Sequence, residues 1–479
     1  MKEKDMQDKK TYFEKFHFTK KKFILSLLVL YIGLLTVPYI PHKKVSEEFK
    51  QTFKPKDFYG SSPGTERVAY VDDNTDALLY RLRMMKDARE EIILSTFDFN
   101  DDRAGRDILS ALIEAADRNV SVRVVIDGIS GFLDLTGNPW FQAAASHPNI
   151  QIRIYNPVNL LKPWKLQARL HDKYMIIDHK MFLLGGRNTT NLFLGNYSSS
   201  QNIDRELYVY ETEDNKSSSL YHLKSYFEEI WKMAECKPYT CRKETDKIKN
   251  STSKLRKGYA KLLEQYPETK DAWDWTALTM ETNKVSLLTN PINAGNKEPH
   301  MWYALHRLMS EGRQTTLYTP YIICGKEMYA DLTSLKEKKI PVEIITNDVA
   351  KGANPWGCTD YLNQKEKIRA TGVKVYEYMA PHSCHTKTVL IDDRMSIVGS
   401  YNLDMRSTYQ DTELMLAVDC PELNAIIQKD VAHDKTYSKT MENGEYIYGE
   451  NYKKKTLSTG KKVFYGILRI VVMPIRRFL

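Results

Sequence analysis

Histidine and lysine recur at one fixed spacing in two distant parts of the chain, as His171-x-Lys173-x4-Asp178 and His385-x-Lys387-x4-Asp392. The agreement runs on, with glycine fourteen residues after each histidine (Gly185, Gly399) and asparagine seventeen after (Asn188, Asn402). A short acidic stretch follows each copy, Asp204-Arg-Glu206 and Asp411-Thr-Glu413. Brought together, the half-sites would set two imidazoles, two ammonium groups and two carboxamides around one small volume, which suits a phosphodiester. One histidine attacks phosphorus, the other protonates the leaving oxygen, and Lys173 and Lys387 stabilise charge on the equatorial oxygens. Such a set needs no metal and no other cofactor. A carboxylate such as Glu206 or Glu413 can fix a histidine tautomer, as the orienting member of a triad does.

The elements that must position these groups are legible as hairpins. Lys173–Ile177 and Lys387–Ile391 are apolar or β-branched, and Met181–Leu184 and Met395–Val398 return after a tight polar turn. With a side-chain period of two, each histidine shares a strand face with its lysine. Asp178 and Asp392, at odd spacing, fall at the turns and read as structural members of the motif. Upstream of each hairpin the order is the same. A helix from Thr75, a strand at Glu91–Phe97, a helix near 103–118 and a strand at Val120–Ile126 are matched by a helix at His300–Ser310, a strand at Thr315–Ile322, a helix at Met328–Lys338 and a strand at Pro341–Thr346. Strands alternating with helices predict a mixed sheet with helices on its faces in each half, and an active site between the halves.

The duplicated motif resembles the signature of the phospholipase D superfamily. Gly185-Gly-Arg-Asn188, the stretch Gly399–Ser407 and the stretch Ala115–Asp127 are most similar to bacterial cardiolipin synthases. The resemblance spans roughly residues 66 to 430. It implies a duplicated phospholipase D-like α/β fold, a nucleophile at His171, and a general acid, later base, at His385. It further implies phosphate binding by Lys173, Lys387, Asn188 and Asn402, with Ser400 beside them. Two positions depart from an even repeat: Gly186 stands where the second copy has Ser400, and Cys384 precedes His385 where the family places an apolar residue.

The domains expected are a basic tail over 1–22, a transmembrane anchor over 23–40, a first half over 66–235, an inserted linker over 236–283, a second half over 284–430 and a basic amphipathic tail over 453–479. Phe23 to Ile40 is an 18-residue stretch without charge, long enough to span a bilayer. A cleaved signal peptide competes, but Thr36–Pro41 holds no small-x-small site, so an uncleaved anchor is expected. Eight lysines in residues 1–22 against five in 41–60 favour a cytoplasmic N-terminus and an extracytoplasmic catalytic region. The tail, with Lys461, Lys462, Arg476 and Arg477 around an apolar run, reads as a helix lying in an anionic headgroup layer, with a helix docked on the catalytic body as the competing reading. Cys236-x4-Cys241 is either a local disulfide or a pair of thiols, and the absence of a Cys-x2-Cys pair argues against zinc.

A formal charge of +9 does not discriminate, since anionic membranes and nucleic acids both attract a basic protein. The leading expectation is a membrane-bound phosphatidyltransferase of cardiolipin synthase type, which takes a phosphatidyl group from phosphatidylglycerol onto His171 and passes it to the hydroxyl of a second phospholipid. Hydrolysis, as a phospholipase D or a nuclease, is the alternative, and a nuclease has no use for an anchor. A catalytically silent lipid-binding protein is a third reading, against which both intact motifs argue.

Overall fold

A computed structural model describes residues 20–241 and 243–479, so the basic N-terminal segment lies outside the described residues up to position 19. Its plan is two nine-stranded mixed sheets, among the described residues, in which eight strands follow the same order and the ninth is added at opposite edges. The first runs Met280–Glu281, Glu66–Val71, Glu206–Glu211, Met181–Gly185, Tyr174–Ile177, Glu91–Thr96, Ser121–Asp127, Ile150–Tyr155 and Cys236–Tyr239. The second runs Lys284–Thr289, Leu414–Asp419, Met395–Gly399, Thr388–Ile391, Thr315–Tyr318, Val342–Asn347, Lys374–Tyr378, Ser438–Glu442 and Glu445–Tyr448. In each, three central strands are parallel and the motif hairpin joins them antiparallel.

The central strands read as unbroken apolar runs because both faces are covered. In Glu91–Thr96, Ile92 and Leu94 point to an outer core under the helices Asn74–Asp87, Arg103–Asp117 and Asp246–Gln265, while Ile93 points inward. The inward side is shared between the halves. Val68, Ile93, Ile176 and Leu207 of the first sheet form one core with Val285, Ile345, Leu390 and Leu416 of the second, together with the helices Ser219–Lys232 and Pro421–Thr436. A third core lies under His300–Met309, Lys326–Glu337 and Pro355–Ala370.

Several boundaries differ from the expectation. The strand from Thr315 stops at Tyr318, because Pro320 supplies no N–H to a ladder. The stretch read as an inserted linker is folded into the first half. Cys236–Tyr239 pairs with Ile150–Tyr155 at one edge of the sheet, Met280–Glu281 pairs with Glu66–Val71 at the other, and the helix between them begins at Asp246, well before Leu255. Cys236 and Cys241 are free thiols.

Among the described residues one helix, Lys20–Tyr39, is long and apolar enough to cross a membrane, and little of it is buried. The tail forms the helix Thr459–Ile475, docked on Pro355–Ala370 through Tyr465, Leu468 and Val472. Burying Leu468 and Val472 contributes roughly 1.5–3 kcal/mol each. Arg476 closes the dock by a two-pronged contact to the buried Asp360 at 2.8 and 3.0 Å. The opposite face leaves Val463, Phe464, Ile467, Ile470 and Met473 exposed.

Candidate active site

Asp178 and Asp392 sit at the motif hairpin turns in the left-handed region, φ 52° and 55°, which a short polar side chain tolerates. The Asp178 carboxylate accepts the N–H groups of Arg89, Glu90 and Glu91 at 2.8 to 3.0 Å, and Asp392 accepts those of Arg313 and Gln314. Each tethers the hairpin to the start of the neighbouring strand, so neither belongs with the reacting groups. Every other member of the motifs lies at the seam between the halves.

His171 and His385 precede their strands, and the backbone of each is held by a group from the opposite half. His171 N donates to Thr412 Oγ1 at 3.1 Å, and His385 N donates to the carbonyl of Ile203 at 2.7 Å. A two-residue parallel ladder, Asn202–Ile203 with Ser383–Cys384, and a bridge between Leu170 and Thr412 carry this pairing across the seam. Cys384 is thereby explained: its side chain packs in the shared core, and burial pushes its thiol up to about 12, so it behaves as a small apolar group.

The orienting carboxylates are crossed as well. His171 Nδ1 lies 2.9 Å from Glu413 Oε1, and His385 Nδ1 lies 2.6 Å from Asp204 Oδ2. Each histidine of one half therefore bonds a carboxyl group of the other through Nδ1, which leaves Nε2 of His171 without that contact. Phe97 and Phe193 stand edge-on to the two rings at 5.4 and 4.8 Å.

Two residues expected at the reacting groups are engaged elsewhere. Glu206 does not orient a histidine. It is fully buried and receives Arg81 by two bonds at 2.8 and 2.5 Å, with Arg187 at 3.5 Å, so its charge is already neutralised. Asp204, two residues earlier, performs the role. Ser400 is not free for phosphate either, because its hydroxyl donates to Glu413 and accepts the N–H of Leu414. The asymmetry between Gly186 and Ser400 follows from these two facts. A Cβ at 186 would meet the Asp204 carboxylate oxygens at 2.4 and 2.5 Å, so the shorter acid requires glycine, while the longer Glu413 is steadied by a serine.

The electrostatics are those of a crowded, buried cation site. Burial, then the charge of Lys173, holds His171 well below the ordinary imidazole value. Burial and Lys387, which lies 2.7 and 3.1 Å from the two ring nitrogens, bring His385 down to about 4. Desolvation lowers Lys173 to about 7 and lowers Lys387 too. Burial raises Glu413 well above the carboxylate range, whereas at Asp204 the pull of Lys387 and His385 overrides burial and keeps it ionised. Four buried bases whose charged forms are each disfavoured suit the binding of an anion, whose charge favours those forms again. Asn188 and Asn402 are buried, and each keeps a carboxamide oxygen without a hydrogen-bond partner, which is uncommon for a buried polar group. A half-turn of either amide exchanges that oxygen for an N–H donor.

Comparison with known proteins agrees with this architecture. A family model described as cardiolipin synthase, PLD-like domain, matches residues 82–231 and 305–435, one segment in each half. Cardiolipin synthase C of Escherichia coli K12 is 23% identical over 406 residues, covering 77% of this chain and 84% of that protein. An uncharacterised Helicobacter pylori protein is 24% identical over 408 residues, covering 75% of this chain and 77% of its own length. The crystal structure of phosphatidylserine synthase from Haemophilus influenzae superposes with a TM-score of 0.62 at 16% identity, over 90% of this chain and 100% of that one.

Proposed function

The chain belongs to the family of cardiolipin synthase, PLD-like domains, and from that footing we propose that it is a membrane-bound phosphatidyltransferase that makes cardiolipin through a phosphohistidine. The observation that carries this reading is the crossed pair of histidines, each bonded through Nδ1 to a carboxylate of the other half and flanked by a buried lysine. His171 Nε2 attacks the phosphorus of phosphatidylglycerol. The P–O bond to glycerol breaks, a P–N bond forms, and His385 gives its proton to the departing oxygen. The hydroxyl of a second lipid then returns a proton to His385, and its oxygen displaces His171 from phosphorus. Lys173, Lys387, Asn188 and Asn402 bind the phosphoryl oxygens throughout. The candidate span at Lys20–Tyr39 and the exposed apolar face of the tail helix support a location at the bilayer surface, where lipid hydroxyls are locally concentrated.

Water is the competing acceptor, so the products decide between transfer and hydrolysis. From phosphatidylglycerol vesicles the purified protein is expected to yield cardiolipin and glycerol with little phosphatidic acid. Ile467→Ser with Ile470→Ser, on the exposed face of the tail helix, should lower the rate on vesicles more than on detergent-dispersed lipid, because that face engages only a bilayer while the docked face is left intact. Phosphatidic acid as the main product in both settings, read by mass spectrometry, makes the protein a hydrolase instead.

The lowered proton affinities set the pH dependence. Attack needs a neutral His171, so kcat/KM should rise as pH climbs through a value below the usual 6.5. Proton donation needs a charged His385, held down to about 4, and phosphate binding needs a protonated Lys173, at about 7, so kcat/KM should fall again as pH climbs across that range. The apparent values belong to the coupled set and not to single residues. A bound phosphodiester returns negative charge to the site, which raises the proton affinity of Lys173 and His385. The alkaline limb of kcat should therefore lie above that of kcat/KM. A flat profile from about pH 5 to 9 would show that none of these groups titrates in the rate-limiting step.

A further inference from the structure

Between the strand Ile150–Tyr155 and His171 the chain makes a surface loop that the proposed chemistry does not use. Within five residues it exposes Leu160 by 65%, Leu161 by 86% and Trp164 by 41%. Three large apolar side chains held together in water mark an interaction surface. They are held there by structure. Asn156, at φ 44°, donates its amide to the carbonyls of Lys165 and Ala168 at 2.6 and 2.8 Å. Leu161 N donates to Asn159 Oδ1 at 2.9 Å, and Lys165 Nζ donates to Glu235 at 2.6 Å. The loop is also wedged from behind, where a Cβ on Gly128 would meet the carbonyl of Asn156 at 2.1 Å.

The candidate span supplies the second observation. Tyr39, its last residue, is 2% exposed and donates its hydroxyl to the Trp164 carbonyl at 2.9 Å. The chain therefore leaves the span on this loop. Leu161 is three residues from that contact, within about 11 Å at 3.8 Å per residue, which keeps it near the headgroup layer and the first carbons of the acyl chains. The charges agree. Lys162, Lys165 and Lys237 line a cavity of about 500 Å³ behind the loop with Val158, Leu160 and Leu166, and Glu235 is taken by Lys165. Two lysines remain in excess, beside an apolar wall.

We propose that residues 157–166 form an interfacial loop that inserts Leu160, Leu161 and Trp164 into the leaflet the span leaves, with Lys162 and Lys237 on anionic lipid headgroups. This rests on the reading of Lys20–Tyr39 as a membrane span. The loop runs on through Arg169, whose N–H is held by Asp411, and Leu170, whose N–H is held by Asp127, directly into His171. Its depth in the leaflet thus sets the reach of the nucleophile to the headgroup plane.

The test places a polarity-sensitive fluorophore on Leu161→Cys and, separately, on Val29→Cys within the span, in the full chain reconstituted in vesicles of phosphatidylglycerol and phosphatidylethanolamine. The unsubstituted protein, labelled in parallel, gives the background of the native thiols. The label at 161 should be quenched by spin-labelled lipid and shielded from iodide, and so should the label at 29. A label at 161 fully open to iodide, while that at 29 is quenched by lipid, overturns the loop proposal and leaves the span standing. Both labels open to iodide overturn the span as well. In the same vesicles Leu160→Ser with Leu161→Ser should cut turnover at least about tenfold, with detergent-dispersed substrate turned over within about twofold of the unsubstituted rate. Equal losses in both media would show a folding defect at the loop and count against insertion.

Discussion

His171→Ala is expected to reduce turnover by roughly 10⁴-fold or more, the scale on which removal of a nucleophile from a cooperating set is felt. The substitution removes Nε2, the nitrogen left for attack while Nδ1 bonds Glu413. The same role predicts a covalent intermediate. Rapid quenching of the unsubstituted enzyme and its substrate in mildly alkaline denaturant, where a P–N bond survives, should leave a phosphatidyl group on the peptide carrying residue 171. His385→Ala should fail differently: with an ester whose leaving group needs no proton, the adduct should form at 171 and persist, because the second step lacks its base. An adduct at residue 385 would reverse the two roles, and full activity in His171→Ala would end the mechanism.

Asp204→Asn is expected to lower kcat about 10³- to 10⁴-fold with a much smaller change in KM, as loss of a buried orienting carboxylate does in other triads. The amide keeps the shape but cannot hold the same His385 tautomer or stabilise its charged form. Glu206→Gln gives the contrasting outcome. It leaves Arg81 and Arg187 buried beside a weaker acceptor, so it should lower Tm while the folded fraction retains most of its kcat. Measuring kcat and thermal unfolding on both variants separates the carboxylates. A nearly active Asp204→Asn beside a folded but dead Glu206→Gln would return the orienting role to Glu206.

The choice between those two carboxylates marks where the sequence stops being readable. The histidines, lysines and asparagines were found because their offsets repeat in both halves, and the strands around them because central apolar runs have few other uses. Asp204 and Glu206 stand two apart and belong by parity to the same side of their segment, so a period-two argument cannot separate them. What decides is Arg81, remote in sequence, which occupies Glu206, together with the absence of a Cβ at Gly186, which admits Asp204. Gly186 against Ser400 was the visible trace of that decision. The assignment of residues 236–283 failed for a related reason. Polar composition describes an edge strand and an exposed helix face as well as it describes a linker, and only the partner strands Ile150–Tyr155 and Glu66–Val71 tell them apart.

The crossing of Asp204 and Glu413 also bears on what either half can do alone. A half separated from the other keeps its histidine but leaves behind the acid bonded to it, so neither half carries a complete site by itself. The two halves hold different solutions, glycine with aspartate in one and serine with glutamate in the other. A change on either side of such a pair is answerable only in the opposite half.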